Sequence, residues 1–364
     1  MTKLFTKLLF VFLLISFVHF SPSLEACTTF SLKDGTRLVF GRNYDWGIGY
    51  GYVMVNKREL NKKAFNFFDP ESQPVEWTSK FGSITFNQYG KEYPMGGMNE
   101  AGLVVEVMWL AGTRFPDTDS RPSLGELPWV QYQLDNFSSV EEVIKSDSSI
   151  RILTNSQPIH FLVCDGSGEG AAIEFLDGKM VCHTKDALLV DVLANNTYED
   201  SMLYLKEHKN FGGDRPIPNS ESSLDRFTRA ANMLKDFPND RDRNIVDYAF
   251  SILESVKQER GTQWSIVYDQ KEMAVFFRTK DSPELKSFLF KNFDFACATP
   301  SNVFNMNSNK SGDISENFIE YSTLINRKLI GLSFRGTDFL QVVPDEALDQ
   351  ISRYPESIIC RTKK

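Results

Sequence analysis

A predicted β-hairpin at residues 27–46, CTTFSLKDGTRLVFGRNYDW, constrains the fold of this chain more than any other segment. Asp34-Gly35 is a two-residue turn signal, and it lies between two runs rich in Thr, Phe, Leu and Val. If these two residues alone form the turn, Cys27 lies directly opposite Arg42, with Cβ atoms about 4.5 to 5.5 Å apart. The segment therefore predicts a guanidinium beside a thiol, although a hairpin at a sheet edge with solvated charges would fit the same pattern.

Asp45 has the wrong parity for the face that carries Arg42 in a continuous strand. We therefore predict a bend or a strand end between Asn43 and Asp45, which would bring the Asp45 carboxylate towards the thiol.

Residues 1–26 have the layout of a secretory signal. Lys3 and Lys7 precede an apolar run at 8–20, and SPSLEA follows at 21–26. The run is too short for a typical transmembrane helix. We expect an exported protein, periplasmic or secreted, with a single domain at 27–364 and no stable membrane insertion after cleavage. Cleavage after Ala26 exposes Cys27 directly, whereas cleavage after Ser23 leaves three residues to be trimmed.

A chain-terminal Cys27 would carry a nucleophile and its own base on one residue. An α-amine titrates near 7.7 to 8.0 and a free thiol near about 8.5, so proton transfer between them is nearly balanced and needs no histidine. In an alternative interpretation, residues 24–27, LEAC, form a lipoprotein box, and an acylated Cys27 anchors a non-catalytic binding protein. A strand pattern rather than a polar tether follows this cysteine.

Six short motifs occur in one order along the chain: CTTF at 27–30, GRNYDW at 41–46, GMNEAGL at 97–103, LANN at 193–196, DRFTR at 225–229 and TQWSIVYD at 262–269. Together they resemble the choloylglycine hydrolase and penicillin V acylase family of N-terminal-nucleophile hydrolases. The resemblance implies an α+β fold, a four-layer αββα sandwich with antiparallel sheets. It also implies an amidase that cleaves a linear C–N amide bond through a thioester, without a metal or an organic cofactor. Family members are often homotetramers.

The resemblance also implies roles for individual residues. The nucleophile would be Cys27, with Arg42 and Arg226 favouring its thiolate and Asp45 orienting the cysteine and its amine. Asn195 would donate its amide to the oxyanion, with Asn196 as the alternative, and the backbone N–H of Trp109 would be the second donor. From the residues alone, LANN is a cap or a turn, and Arg226 is a surface arginine that opposes a helix dipole.

Two tryptophans separate this chain from relatives that act on bile salts, because those relatives carry a small polar residue at the position of Trp109. Trp46 together with Trp109 is similar to the penicillin V acylases of Gram-negative bacteria, some of which also cleave N-acyl homoserine lactones. The two indole rings could bind an aryl or acyl group between them by stacking and burial of apolar area. Alternatively, either tryptophan could be an ordinary residue of the hydrophobic core. We expect one of these two activities, with conjugated bile salt hydrolysis as the alternative.

The order of predicted elements indicates two sheets between helices. Strand patterns lie at 52–55, 83–86, 103–110, 264–268 and 273–278, and a four-stranded meander at 159–165, 171–176, 179–184 and 188–193. Helices are predicted at 124–136, 198–208, about 222–234 and 244–257, with a capping box opening another at 139–145. A polar loop is expected at 299–316.

Charge and cysteine content exclude several classes of protein. The formal net charge of −8 argues against nucleic acid or anionic lipid as a partner. The resemblance implies a small amide substrate instead. The five cysteines lack zinc-like spacing, and no papain-like motif accompanies Cys27. Without Cys27, the other four (Cys164, Cys182, Cys297 and Cys360) could form disulfides in three pairings or remain free.

Overall fold

The computed structural model describes residues 27–67, 69–237 and 243–361. The predicted signal segment at 1–26 lies outside the described residues. Within the described ranges, no helix is both long and apolar enough to cross a membrane.

Strands dominate the chain. They are β1 Thr28–Asp34, β2 Arg37–Asp45, β3 Tyr52–Asn56, β4 Leu60–Lys63, β5 Glu76–Thr78, β6 Ser83–Asn87, β7 Pro94–Asn99, β8 Val104–Trp109, β9 Ser123–Leu124, β10 Arg151–Ile152, β11 Ile159–Cys164, β12 Gly170–Leu176, β13 Lys179–Thr184, β14 Val192–Leu193, β15 Thr262–Asp269, β16 Ala274–Thr279, β17 Lys286–Leu289, β18 Asn302–Asn305, β19 Gly312–Asp313, β20 Ile319–Glu320 and β21 Ile359–Cys360. The helices are α1 Glu126–Asn136, α2 Val140–Lys145, α3 Tyr198–Leu205, α4 Ser223–Asp236, α5 Ile245–Ser255, α6 Thr323–Gly336 and α7 Asp345–Arg353.

Two large sheets form the centre of the fold. The first has the strand order β14-β1-β2-β15-β16-β17-β19, and the second has the order β13-β12-β11-β8-β7-β6-β3-β18-β20. Helices α4 and α5 pack on β1, β2 and β15 of the first sheet, and α1 packs on β7 and β8 of the second. The layers are therefore helix, sheet, sheet and helix, and the expected αββα sandwich is present.

Aromatic side chains fill the space between the layers. Phe86 of the second sheet lies edge-on to Tyr268 and Phe277 of the first, with ring centroids 5.9 and 5.5 Å apart. On the outer side of the second sheet, Trp129 of α1 packs on Phe161, 4.3 Å between centroids. Because these rings are almost completely buried, they supply much of the apolar burial that holds the sheets together.

The predicted register of the first hairpin is wrong by two residues. Asp34 pairs with Arg37, so the turn residues are Gly35 and Thr36, and Thr29 rather than Cys27 lies opposite Arg42. Gly35 has a φ of +58°, which glycine adopts without a Cβ penalty, and it occupies the first turn position instead of the second. A shift of two residues keeps the same faces of the strands, so Arg42 still lies on the side of the thiol.

The predicted bend before Asp45 is also wrong. Strand β2 continues through Asp45, and the irregularity lies in its partner β15, where the register shifts between Thr262 and Trp264. Asn43, on the same strand face as Asp45, donates to the carbonyl oxygen of Leu253 in α5. The Asp45 side chain therefore belongs to the face of the sheet that helices cover.

Several other predictions are corrected by the pairing. The run at 188–193 contains only the short strand β14, which pairs with β1 of the first sheet and not with the meander. The segment at 299–316 is not a plain loop, since it contains β18 and β19. Strand β7 was not predicted, because Pro94 and two glycines obscure its pattern. The capping box of Ser139 and Glu142 is confirmed.

The cysteines that the sequence left open are now assigned. Cys297 forms a disulfide with Cys360, whereas Cys27, Cys164 and Cys182 are free thiols.

Candidate active site

The Cys27 thiol lies immediately before β1, at the end of the first sheet, and only 5% of the residue is exposed. Its Sγ atom lies 3.9 Å from the backbone oxygen of Asp45 and 3.9 Å from Nη2 of Arg42. The predicted contact of thiol and guanidinium is therefore present, but along the diagonal of the hairpin rather than between facing residues.

The Arg42 side chain is completely buried and held from several sides. It donates to the backbone oxygens of Met95, at 2.6 Å, and Val107, at 3.0 Å, and it forms an ion pair with Glu106. Burial disfavours the cation, but Glu106, together with Cys27 and two tyrosines, outweighs this effect, so the pKa of Arg42 is raised. Arg42 is thus a fixed positive charge beside the sulfur.

Glu106, on β8 of the second sheet, is a residue of this site that the sequence reasoning missed. Its Oε1 accepts a hydrogen bond from the Tyr268 hydroxyl at 2.5 Å, and burial raises its pKa to about 7 although Arg42 opposes the rise. A Cβ on Gly96, directly across the strand pair, would lie 1.9 Å from Oε2 of Glu106, so only glycine leaves room for this carboxylate. The available signal was a single acid within the apolar run VVEVMW at 104–109.

Burial has the largest effect on the pKa of the Cys27 thiol. It raises the pKa of the Cys27 thiol, and the lowering by Arg42 does not fully offset this effect. Arg42 therefore offsets only part of the effect of burial, and the expectation that both arginines favour the thiolate stays a prediction. The guanidinium of Arg226 bonds to the backbone oxygen of Cys27, at 2.8 Å, and not to its sulfur.

Asp45 has one satisfied and one free carboxylate oxygen. Oδ1 accepts from the Thr262 hydroxyl at 2.5 Å, whereas Oδ2 lies 3.9 Å from Nη1 of Arg226 and is a buried atom with no hydrogen-bond partner among the described residues. Burial raises the pKa of Asp45 to about 7, while Arg226 lowers it. A buried acceptor without a donor is costly, so Oδ2 is suited to receive a cationic donor.

Arg226 lies in the first turn of α4, fully buried rather than at the surface. Besides the bond to Cys27, its guanidinium donates to Thr28 Oγ1 and, from Nη2 at 2.8 Å, to Oδ1 of Asn195. Burial lowers the pKa of Arg226, and Asp45 opposes this shift. One arginine thus fixes the backbone of the cysteine and the side chain of the asparagine relative to each other.

The orientation of the Asn195 amide follows from these contacts. Because Oδ1 accepts from Arg226, Nδ2 points the other way and donates to the backbone oxygen of Trp109 at 2.9 Å. One N–H of this amide remains beyond that bond. The Leu110 N–H donates to the carbonyl oxygen of Pro158, immediately before β11, so the backbone groups of Trp109 point to the opposite side of its strand, towards Asn195.

A buried histidine, which the sequence reasoning also missed, supports the LANN segment at 193–196. His160 is completely buried, with Nδ1 3.1 Å from Glu174 Oε1 and Nε2 2.8 Å from the backbone oxygen of Ala194. Burial opposes the ionised form of Glu174, yet hydrogen bonds from His160 and His183 lower its pKa to about 2. This network fixes the residue immediately before Asn195.

The site opens into an apolar pocket of about 180 Å³. Five of the seven predicted site residues line it: Cys27, Arg42, Asp45, Trp46 and Trp109. The other two, Asn195 and Arg226, join it through the hydrogen bonds described above. The two indoles lie 6.0 Å apart between ring centroids, and the remaining lining includes Phe65, Phe67, Leu127 and Leu153.

No group of three or more His, Cys, Asp or Glu side chains in the described part of the chain could hold a metal ion. The site combines the Cys27 thiol, the buried Arg42 cation beside it, the Asn195 amide and an apolar pocket. It can therefore bring an amide carbonyl to a sulfur nucleophile.

Comparisons with known proteins agree with this geometry. The profile of the family "Linear amide C-N hydrolases, choloylglycine hydrolase family" matches residues 27–309. A penicillin V acylase of Pectobacterium atrosepticum is 31% identical over 263 residues, 61% of this chain and 69% of the relative. A bile salt hydrolase/transferase of Bifidobacterium longum is 25% identical over 70% of this chain and 92% of its own length.

A solved structure, the penicillin V acylase from Agrobacterium tumefaciens, superposes with a TM-score of 0.70 and 26% identity, covering 81% of this chain and 98% of that one. The layers and this likeness together define an N-terminal-nucleophile hydrolase fold. The chain belongs to the linear amide C-N hydrolases of the choloylglycine hydrolase family, and it is a hydrolase of linear amides.

Proposed function

We propose that this protein is an exported cysteine amidase of the penicillin V acylase type that cleaves penicillin V, N-acyl homoserine lactones or both, with Cys27 as its N-terminal nucleophile. The observation that carries the proposal is that one side chain, Arg226, bonds to both Cys27 and Asn195. By bonding to the Cys27 backbone and to Oδ1 of Asn195, it fixes the backbone of the cysteine and orients Nδ2, whose remaining N–H would point to a substrate carbonyl.

The first half of the reaction forms a thioester. The α-amine of Cys27 accepts the thiol proton, and the sulfur attacks the amide carbonyl beside Arg42. Nδ2 of Asn195 and the backbone N–H of Trp109 stabilise the oxyanion of the tetrahedral intermediate. When the C–N bond breaks, the α-ammonium returns its proton to the leaving amine.

The second half hydrolyses the thioester. A water molecule attacks the same carbonyl while the α-amine takes its proton, and collapse of the second tetrahedral intermediate releases the carboxylic acid and the thiolate. The ammonium then reprotonates the sulfur, so the enzyme is restored. Oδ2 of Asp45 is buried and has no hydrogen-bond partner among the described residues. In the proposed mechanism it accepts a hydrogen bond from the α-ammonium of Cys27.

The substrate preference rests on the pocket. Penicillin V and acyl homoserine lactones share an apolar acyl group on one side of the amide and a polar group on the other. An apolar pocket next to Cys27, with Trp46 and Trp109 side by side, fits the acyl half of either substrate. The penicillin V acylase of P. atrosepticum supports the same preference.

The test is a direct comparison of substrates with the processed protein. Its N-terminus is first established by intact mass, and turnover of penicillin V is then compared with that of a glycine-conjugated bile salt. Faster cleavage of penicillin V would support the proposal. Faster cleavage of the bile salt would overturn the substrate assignment and leave the chemistry at Cys27 intact.

Conjugated bile salt hydrolysis is the second candidate, and the B. longum relative is the observation in its favour. A lipid-anchored binding protein is the candidate of another class. Against it, the Cys27 sulfur is buried and lines the pocket, so an S-linked lipid would have to occupy the space proposed for substrate. A Cys27→Ser protein that binds substrate normally but does not turn it over would argue for the amidase.

We also propose that the protein is exported, that it forms a homotetramer, and that its binding partners are small amides. Release into the periplasm or medium by a strain that expresses the full chain tests export, and light scattering of the purified protein tests the assembly.

A further inference from the structure

The outer wall of the pocket comes from a part of the chain beyond the family match. Four apolar side chains of residues 323–353 line it: Phe334, Phe339, Leu340 and Ile351. The family profile ends at residue 309. The side of the pocket that contains the reacting groups thus lies within the family match, whereas these four side chains are supplied by α6, α7 and their connection, here called the C-terminal hairpin (residues 323–353).

The C-terminal hairpin has its own apolar core. Phe334 and Ile351 belong to a cluster with Ile330, Leu348 and other side chains of the hairpin, separate from the main core that contains Cys27. Phe65 and Phe67 pack against this second cluster, and so does Tyr89, which touches both. The pocket therefore lies between two apolar clusters, with the thiol on one side and the hairpin on the other.

Several contacts fix the hairpin over the pocket. The hydroxyl groups of Tyr89 and Thr337 are 3.0 Å apart, and Asn326 accepts from the backbone N–H of Lys91 at 2.9 Å. Arg327 of α6 forms ion pairs with Asp345 and Asp349 of α7, at 3.1 and 2.5 Å.

The end of the hairpin is fixed as well. The following strand β21 pairs with β4, and its Cys360 is joined to Cys297 by the disulfide. Because the disulfide closes a segment that contains both helices, the wall is covalently tied to the body of the enzyme.

We propose that the C-terminal hairpin selects substrates by the length of their acyl group, which it contacts at the end distant from the amide. This inference rests on the proposed amidase function. Trp46 and Trp109 lie beside the reacting groups and would contact the part of the acyl group near the carbonyl. In this proposal, only a longer acyl group would extend to Phe339 and Leu340, which line the same pocket.

The exposure of the wall supports this role. Phe334 and Ile351 are buried within the hairpin, so they shape the pocket, but Phe339 remains 44% exposed at its edge. A bound acyl chain would remove apolar surface of Phe339 and Leu340 from water, which favours binding in proportion to the area covered. A short acyl group would leave that surface exposed and gain nothing from it.

The experiment compares Leu340→Ala with Leu332→Ala. Leu332 is on the same hairpin, is 42% exposed and does not line the pocket, so it is a matched control for stability and solubility. Turnover is measured on N-acyl homoserine lactones from butanoyl to dodecanoyl. We expect Leu340→Ala to lower kcat/KM about 10-fold for the dodecanoyl substrate and less than about 2-fold for the butanoyl one, with both unchanged in Leu332→Ala. Phe339→Ala should act in the same direction.

An equal loss at every chain length, or equal effects of the two leucine variants, would overturn the inference. A second measurement does not depend on turnover. Fatty acids of the same chain lengths, the acids that such cleavage would release, are titrated against the tryptophan fluorescence of the wild type and the two leucine variants. If neither penicillin V nor any lactone is cleaved, the proposed amidase function fails. If penicillin V alone is cleaved, that function stands, and the titration decides whether Leu340 contributes to binding of the longer chains.

Discussion

Replacement of Asn195 by alanine tests the geometry of the site most specifically. Its Oδ1 accepts from Arg226 at 2.8 Å, which orients Nδ2, the proposed side-chain donor to the oxyanion. Loss of one such donor removes about 2.7 to 4 kcal/mol of transition-state stabilisation, so kcat should fall about 10²- to 10³-fold. KM should change little, because the oxyanion forms only after the substrate binds.

The same substitution has a cost in stability. Arg226 loses one acceptor but keeps the backbone oxygens of Cys27 and Glu221 and the hydroxyl of Thr28. A hydrogen bond to a charged group contributes about 1.5 to 3 kcal/mol, so the melting temperature should fall by several degrees without unfolding the protein. Activity is therefore assayed well below that temperature.

Asn196→Ala is the matched control, because it removes an identical side chain one residue away. The assay is steady-state hydrolysis of penicillin V under saturating conditions for wild type, Asn195→Ala and Asn196→Ala. A kcat of Asn195→Ala within about 5-fold of wild type would refute the assignment. A large loss in Asn196→Ala alone would transfer the role to the neighbouring residue.

Three further predictions concern residues around the site. Burial raises the pKa of Glu106 to about 7, so the folded protein retains a proton between about pH 4.3 and 7 that the unfolded chain has lost. The stability of wild type relative to Glu106→Gln should therefore fall as pH rises through that window, as urea unfolding at pH 5 and pH 8 would reveal; a constant difference would contradict it. Removal of the disulfide by Cys297→Ser with Cys360→Ser should lower unfolding free energy by up to about 4 kcal/mol, given a sequence separation of 63 residues, and an unchanged denaturant midpoint would argue against it. His160→Ala should lower kcat about 10-fold with little change in KM, because it releases the segment before Asn195; an unchanged kcat would show that the segment is held without it.

Much of the fold was accessible from local patterns. The capping box of Ser139 and the hairpin of β15 and β16 follow from residue type and spacing, which are local properties. The turn at Gly35 shows the limit of this reasoning. The turn could consist of Asp34-Gly35 or of Gly35-Thr36, because both contain the glycine that adopts a positive φ. Changing from one turn to the other shifts each cross-strand pair in the hairpin by two residues.

The site could be predicted only in part, because its contacts cross between sheets. Arg42 is on the first sheet and its carboxylate partner Glu106 on the second, and local spacing does not indicate which acid approaches which base. The pairing of Cys297 with Cys360 depends in the same way on the approach of two distant segments. The C-terminal hairpin lies beyond the ordered motifs, so nothing in them indicated a role in the pocket.

The central claim is that Cys27, as the first residue of the processed chain, becomes acylated during turnover. Mass spectrometry of the purified protein, quenched in acid during hydrolysis of penicillin V, tests it directly. We predict a chain that begins at Cys27 and carries one phenoxyacetyl group on that residue, with no adduct in Cys27→Ala. An active protein that retains residues before Cys27, or an adduct on Cys164 or Cys182 instead, would contradict the account.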